Sequence, residues 1–116
     1  MNSRPTSPLY RHGDVLIAQV ATLPKGAQLL KSKQGETATL AYGEITGHSH
    51  RIRQSNAAQM WLQDRGPQGS EMFLEITAPS ATLVHEEHQA IELPRGIYRV
   101  WKQREYRPDA YVYVED

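Results

Sequence analysis

The 116 residues contain no cysteine. Disulfides, thiolate zinc sites, iron–sulfur clusters and a cysteine nucleophile are therefore excluded. The absence also fits a reducing compartment. Net charge is missing too: thirteen Lys and Arg balance thirteen Asp and Glu. That removes any bulk-charge argument for nucleic acid or an anionic membrane surface. No apolar run approaches the ~20 residues of a membrane span, and Met1-Asn2-Ser3-Arg4-Pro5 has no signal-peptide apolar stretch. The expectation is a cytoplasmic protein with no membrane partner.

What is present suits one small globular unit. Apolar residues make up 39% and charged residues 22%, enough for a modest core. Residues 1–9, with Pro5 and Pro8, read as a flexible leader, and residues 10–116 as a single β domain. Residues 1–58 hold seven basic and three acidic residues, and residues 59–116 hold six and ten. The dipole is too mild to name a partner.

Apolar periodicity predicts strands almost throughout. Asp14–Val20 is a nearly continuous apolar run, as in a strand covered on both faces. Glu36–Tyr42 and Ala58–Leu62 alternate, the latter with Ala58, Met60 and Leu62 on one side. The Arg65–Gly69 turn predicts a hairpin to Glu71–Thr77, whose Met72, Leu74 and Ile76 face inward. Further strands are expected at Ala81–His85, at Ile97–Tyr106 after a Pro94-Arg95-Gly96 turn, and at Ala110–Val114. Turns recur every eight to twelve residues, with no clean helical period. The predicted fold is all-β: a small antiparallel β-barrel or β-sandwich of about eight strands. One short helix within residues 26–34 is the alternative.

Four of the five histidines fall into two compact motifs, Gly47-His48-Ser49-His50 and His85-Glu86-Glu87-His88. Neutral imidazole ligates zinc, iron, manganese and nickel, and a carboxylate often completes the set. On an extended strand His48 and His50 share a face and can reach one ion. His85 and Glu87 also share a face. His88 joins them only if the chain turns at Glu86–Glu87. The expected ligands are His48, His50 and His85, with His88 or Glu87 as the fourth. His12, without a partner nearby in sequence, reads as a surface or capping residue. In residues 91–107, alternation separates Ile97, Arg99 and Trp101 from Tyr98, Val100 and Lys102. This segment is either a phosphate- and base-gripping face or a solvated strand with its aromatics in the core.

Two resemblances arise on these residues. His48-x-His50, followed later by Pro94-x-Gly96 between strands, resembles the cupin pattern and implies a β-barrel holding a divalent metal. Ser55 and Asn56 lie where cupins carry a glutamate, and Arg99 where they carry their last histidine. The wider string resembles a family of small uncharacterised bacterial and phage proteins. It runs Arg11-x-Gly13-Asp14-Val15, Gly43-Glu44-x-Thr46-Gly47-His48-x-His50, His85-x-Glu87-His88-x-x-Ile91-x-Leu93-Pro94-x-Gly96-x-Tyr98 and Gln103-Arg104-Glu105-Tyr106. That resemblance implies a setting and no activity.

Three functions follow as expectations. The first is a metal-binding β-barrel with His48, His50, His85 and His88 as ligands, acting as a hydrolase or, with iron, an oxygenase. Glu44 or Glu87 would be its general base, and Arg51, Arg53 or Arg99 would hold an anionic substrate. The second is a metal-free phosphodiesterase or nuclease acting on a nucleotide or RNA. It would use two histidines as acid and base, with Trp101 stacking a base. The third is a non-catalytic phage or mobile-element accessory module, assembling with copies of itself or a partner through strand edges.

Overall fold

The computed structural model describes residues 9–30, 37–42 and 47–103. They form one eight-stranded antiparallel sheet curled into a half-barrel. The strands are β1 (Leu9–His12), β2 (Val15–Val20), β3 (Gln28–Leu30), β4 (Thr39–Tyr42), β5 (Ser49–Ile52), β6 (Ala58–Asp64), β7 (Ser70–His85) and β8 (His88–Lys102). Their neighbours run β1-β2-β8-β7-β5-β4, with β6 on the first half of β7 and β3 outside it. A single sheet that curls on itself replaces the sandwich alternative. Among the described residues there is no α-helix, only one 3-10 turn, Gly66–Gln68, in the predicted β6–β7 hairpin.

The β7–β8 hairpin is the spine. The two expected strands 71–77 and 81–85 are one strand, interrupted by a bulge. Ile76 pairs with Gly96 and Ser80 with Pro94, so β7 carries two more residues than β8 across that interval. A bulge bends its strand and increases the local twist. Here Pro79 offers no amide, while the Thr77 and Ala78 amides turn to the Ala57 carbonyl at 2.9 and 3.3 Å. The predicted Pro94-Arg95-Gly96 turn is a correction: these residues lie inside β8, opposite the bulge. Proline and glycine mark a bend in the strand there, and Tyr98 Oη donates to the Pro94 carbonyl at 2.6 Å.

The concave face closes over Val15, Ile17, Leu40, Ile52, Leu74, Ile76, Leu83, Leu93, Tyr98 and Val100, all buried. In β8 they alternate with exposed or half-buried residues, the period of two that points one face inward; β7 keeps that period but also buries Phe73 and Thr82 between them. Burying these side chains supplies the main driving force for the curl, at about 1.5–3 kcal/mol per large aliphatic. Only the first half of β2 is fully buried. Gln28–Leu30 is a strand, which removes the helix alternative there; residues 31–36 lie outside the described set. The expected strand at Ala110–Val114 and most of the expected leader also lie outside it. No helix among the described residues is long and apolar enough to cross a membrane.

Candidate metal centre

All five histidines meet at one end of the half-barrel. The curl brings the β1–β2 turn, the start of β5 and the tip of the β7–β8 hairpin together. His12 is the last residue of β1, His50 sits in β5, and His85 and His88 close the spine hairpin. Ring centroids are 4.3 Å apart for His50–His85, 4.7 Å for His85–His88, 5.6 Å for His50–His88 and 5.8 Å for His48–His85. The chain does turn at Glu86–Glu87, with His85 paired to His88. His88 therefore stands beside His85 rather than on the opposite face.

One ligating nitrogen each from His50, His85 and His88 lies within 4.8 Å of the others. A second group, His48, His85 and Glu86, meets the same limit and shares His85. Glu86 already has both oxygens engaged. Oε1 accepts from the Ser49 amide at 3.1 Å, and Oε2 pairs with Arg51 Nη1 at 2.9 Å. Its own amide, the Ser49 amide and Arg51 hold the Glu86 carboxyl below its ordinary pKa against a smaller desolvation effect. Glu87 Oε2 lies 2.7 Å from His48 Nδ1, an ion-pair distance outside hydrogen-bonding angles.

Electrostatics keep the inner rings neutral. Burial, followed by the neighbouring His85 and His12 rings, pushes His50 down to about 4, with the Asp14 carboxylate opposing. Burial also lowers His85, helped by His88 and opposed by Glu86 and Glu87. Metal binding needs neutral imidazole, so these shifts favour the ligand form.

His12 corrects the sequence reading. It is 2% exposed and lies inside the cluster. Its Nδ1 faces His50 Nδ1 at 2.9 Å, and its Nε2 meets the Gln89 carbonyl at 2.9 Å. Burial lowers its pKa more than that carbonyl raises it. Gly13 is a second residue that site reasoning missed. It has φ +65°, and a Cβ built on it would sit 2.6 Å from His88 Nε2 and 3.1 Å from His50 Cε1. The Gly13-Asp14 pair closing β1 onto β2 is the available signal: glycine at the first central position suits a type II′ hairpin.

The expected substrate residues separate. Arg51 flanks the cluster through Glu86 and the Ser49 carbonyl. Arg53 is exposed just past β5. Arg99 lies over the Trp101 ring at 4.9 Å and pairs with Glu71 at 3.3 Å. Both Arg99 and Trp101 line a different feature, a cleft of about 910 Å³ on the concave side that includes no histidine. Glu44 lies outside the described residues.

A family described as a domain of unknown function (DUF8820) matches residues 11–103, and the chain belongs to it. Comparison with curated proteins and with solved structures returns no match. The matched span contains every residue of the histidine cluster.

Proposed function

We propose that this protein binds one divalent transition-metal ion on His50, His85 and His88 and uses it for metal-assisted hydrolysis. The approach of three imidazole nitrogens to within 4.8 Å from three strands carries this reading. Nitrogens on one tetrahedral zinc lie about 3.3 Å apart, so the rings need close by at most about 1.5 Å. Zinc, iron, manganese and nickel all accept such a set. Three protein ligands leave a position for water, whose pKa a bound zinc lowers to about 7. His88 is exposed and His85 partly so, which leaves that position reachable from solvent. Glu87 is the candidate general base on this rim, and Arg51 supplies positive charge for an anionic substrate.

A second reading rests on His85. The Glu87 amide donates to His85 Nδ1 at 3.0 Å, which leaves the proton of the neutral ring on Nε2. A donor on His85 next to an acceptor on His50 is the acid–base pair that a metal-free phosphodiesterase requires. Elemental mass spectrometry on protein purified without a nickel column or chelator separates the readings. Near one equivalent of a transition metal supports the first. Less than about a tenth of an equivalent, unchanged after zinc is added back, sinks it.

A further inference from the structure

We infer that His12 is the positioning residue of this centre: its ring holds His50 in the Nδ1–H tautomer and leaves the His50 Nε2 lone pair for the ion. The inference rests on the metal reading for its purpose, but its geometry is independent of any metal.

Proton counting along a short chain leads to it. The Gln89 carbonyl can only accept, so His12 Nε2, 2.9 Å away, carries a proton and donates. His12 is only 2% exposed, where an unpaired imidazolium is costly to bury, and a neutral imidazole has one N–H. Its Nδ1 is therefore bare. That bare nitrogen lies 2.9 Å from His50 Nδ1, so His50 Nδ1 must be the donor between them. His50, 3% exposed, is kept neutral by the same burial cost, which leaves its Nε2 unprotonated. The Asp14 carboxylate Oδ1 is 3.8 Å from that nitrogen, too long to hold a proton there by a hydrogen bond.

Histidine ligands generally donate their second ring N–H to a carboxylate or a backbone carbonyl, which fixes the tautomer and the ring orientation. Here a second histidine stands between ligand and carbonyl and relays the carbonyl's polarity. The carbonyl belongs to the residue after His88, so one chain of two hydrogen bonds ties β1, β5 and β8 at the cluster. His12 is at least as buried as His50, at 2% against 3% exposure, which leaves little room for water as a substitute partner.

The test uses two variants and two measurements. His12→Gln keeps an amide oxygen for His50 and an amide N–H for Gln89. His12→Phe keeps the bulk and loses both. Two-bond ¹H–¹⁵N spectra of metal-free wild type above pH 7 should show His50 protonated at Nδ1 and His12 protonated at Nε2. Zinc titrations should show a loss of roughly 10–100-fold in affinity for His12→Phe, with His12→Gln closer to wild type. Wild-type spectra with the His50 proton on Nε2 would overturn the inference, even if His12→Phe fails to fold. Unchanged zinc affinity in a folded His12→Phe would overturn it as well. A wild type that takes up no metal but shows the expected tautomers would defeat the metal reading alone.

Discussion

The Nδ1 atoms of His12 and His50 lie 2.9 Å apart across 38 positions of sequence. The contact joins the end of the edge strand β1 to β5, which are not neighbours in the sheet. Only the curl of the β7–β8 spine makes it possible, so the fold and the site depend on the same bend.

The ligand set is testable residue by residue. Alanine at His50, His85 or His88 should each weaken zinc binding by more than about 100-fold in a competition titration, since one of three ligands is lost. Alanine at His48 should cost less than about tenfold, because its nitrogen belongs to the second group with Glu86. Equal losses at His48 and His88 would move the ion to that group. Thermal stability should respond unevenly: His50 is buried, whereas His88 is exposed, so His50→Ala should lower the melting temperature most.

A side chain at Gly13 should be costly. At φ +65° an alanine carries backbone strain of about 1–3 kcal/mol. Its Cβ would also press on His88 Nε2 at 2.6 Å. Gly13→Ala is expected to lower both the urea midpoint and the zinc affinity. Gly26→Ala is the control, because its φ is +87° and its nearest neighbour is 3.7 Å away, far from the cluster. A Gly13→Ala variant that loses stability but binds zinc like Gly26→Ala would show that the glycine serves the turn alone.

Much of this was legible in the sequence, and the failures have identifiable causes. Alternation at Met72, Leu74 and Ile76 placed the inward face of β7, because one face of a half-barrel is buried and period two records it. In residues 97–102 it separated the buried Tyr98 and Val100 from Arg99 and Trp101 without saying which side was the core. The four motif histidines were visible by spacing. His12 was not, because its partners are 38 and 77 residues away and nothing local marks a contact made by strand order. The Glu86–Glu87 turn was hidden because neither residue has positive φ. Primed hairpin turns announce themselves with Gly or Asn; this one relies on the Glu87 amide donating to His85 Nδ1 and a register shift between Leu83 and His85. Pro94-x-Gly96 misled for the opposite reason, since turn-forming residues can also mark a bulge partner within a strand.

Metal-free protein should lose stability as pH falls from 6.5 to 4. His50 has an ordinary value of 6.5 in the unfolded chain and about 4 when folded. Across that window the unfolded chain binds a proton that the native state refuses, so stability rises with pH. At about 1.4 kcal/mol per pH unit, the full effect is of order 3 kcal/mol, present above pH 6.5 and lost by about pH 4. The shifts on His12 and His85 act in the same direction. Urea midpoints at pH 7 and pH 4.5 should therefore diverge more in wild type than in His50→Gln. Equal slopes would mean that His50 is not held neutral.

Loading the ion should cost the Glu87 amide its partner. That amide donates to His85 Nδ1 at 3.0 Å, so the proton of neutral His85 is on Nε2. Ligation through Nδ1 displaces the amide directly. Ligation through Nε2 moves the ring proton to Nδ1, where it would confront the amide donor to donor. By either route the bond is lost and the turn at Glu86–Glu87 must adjust. The Ser49 amide, held by Glu86 Oε1 at 3.1 Å, has no such conflict. Stoichiometric zinc should therefore shift the Glu87 amide resonance and speed its hydrogen exchange, while Ser49 changes less. An unmoved Glu87 amide in protein holding one equivalent of zinc would take His85 out of the ligand set.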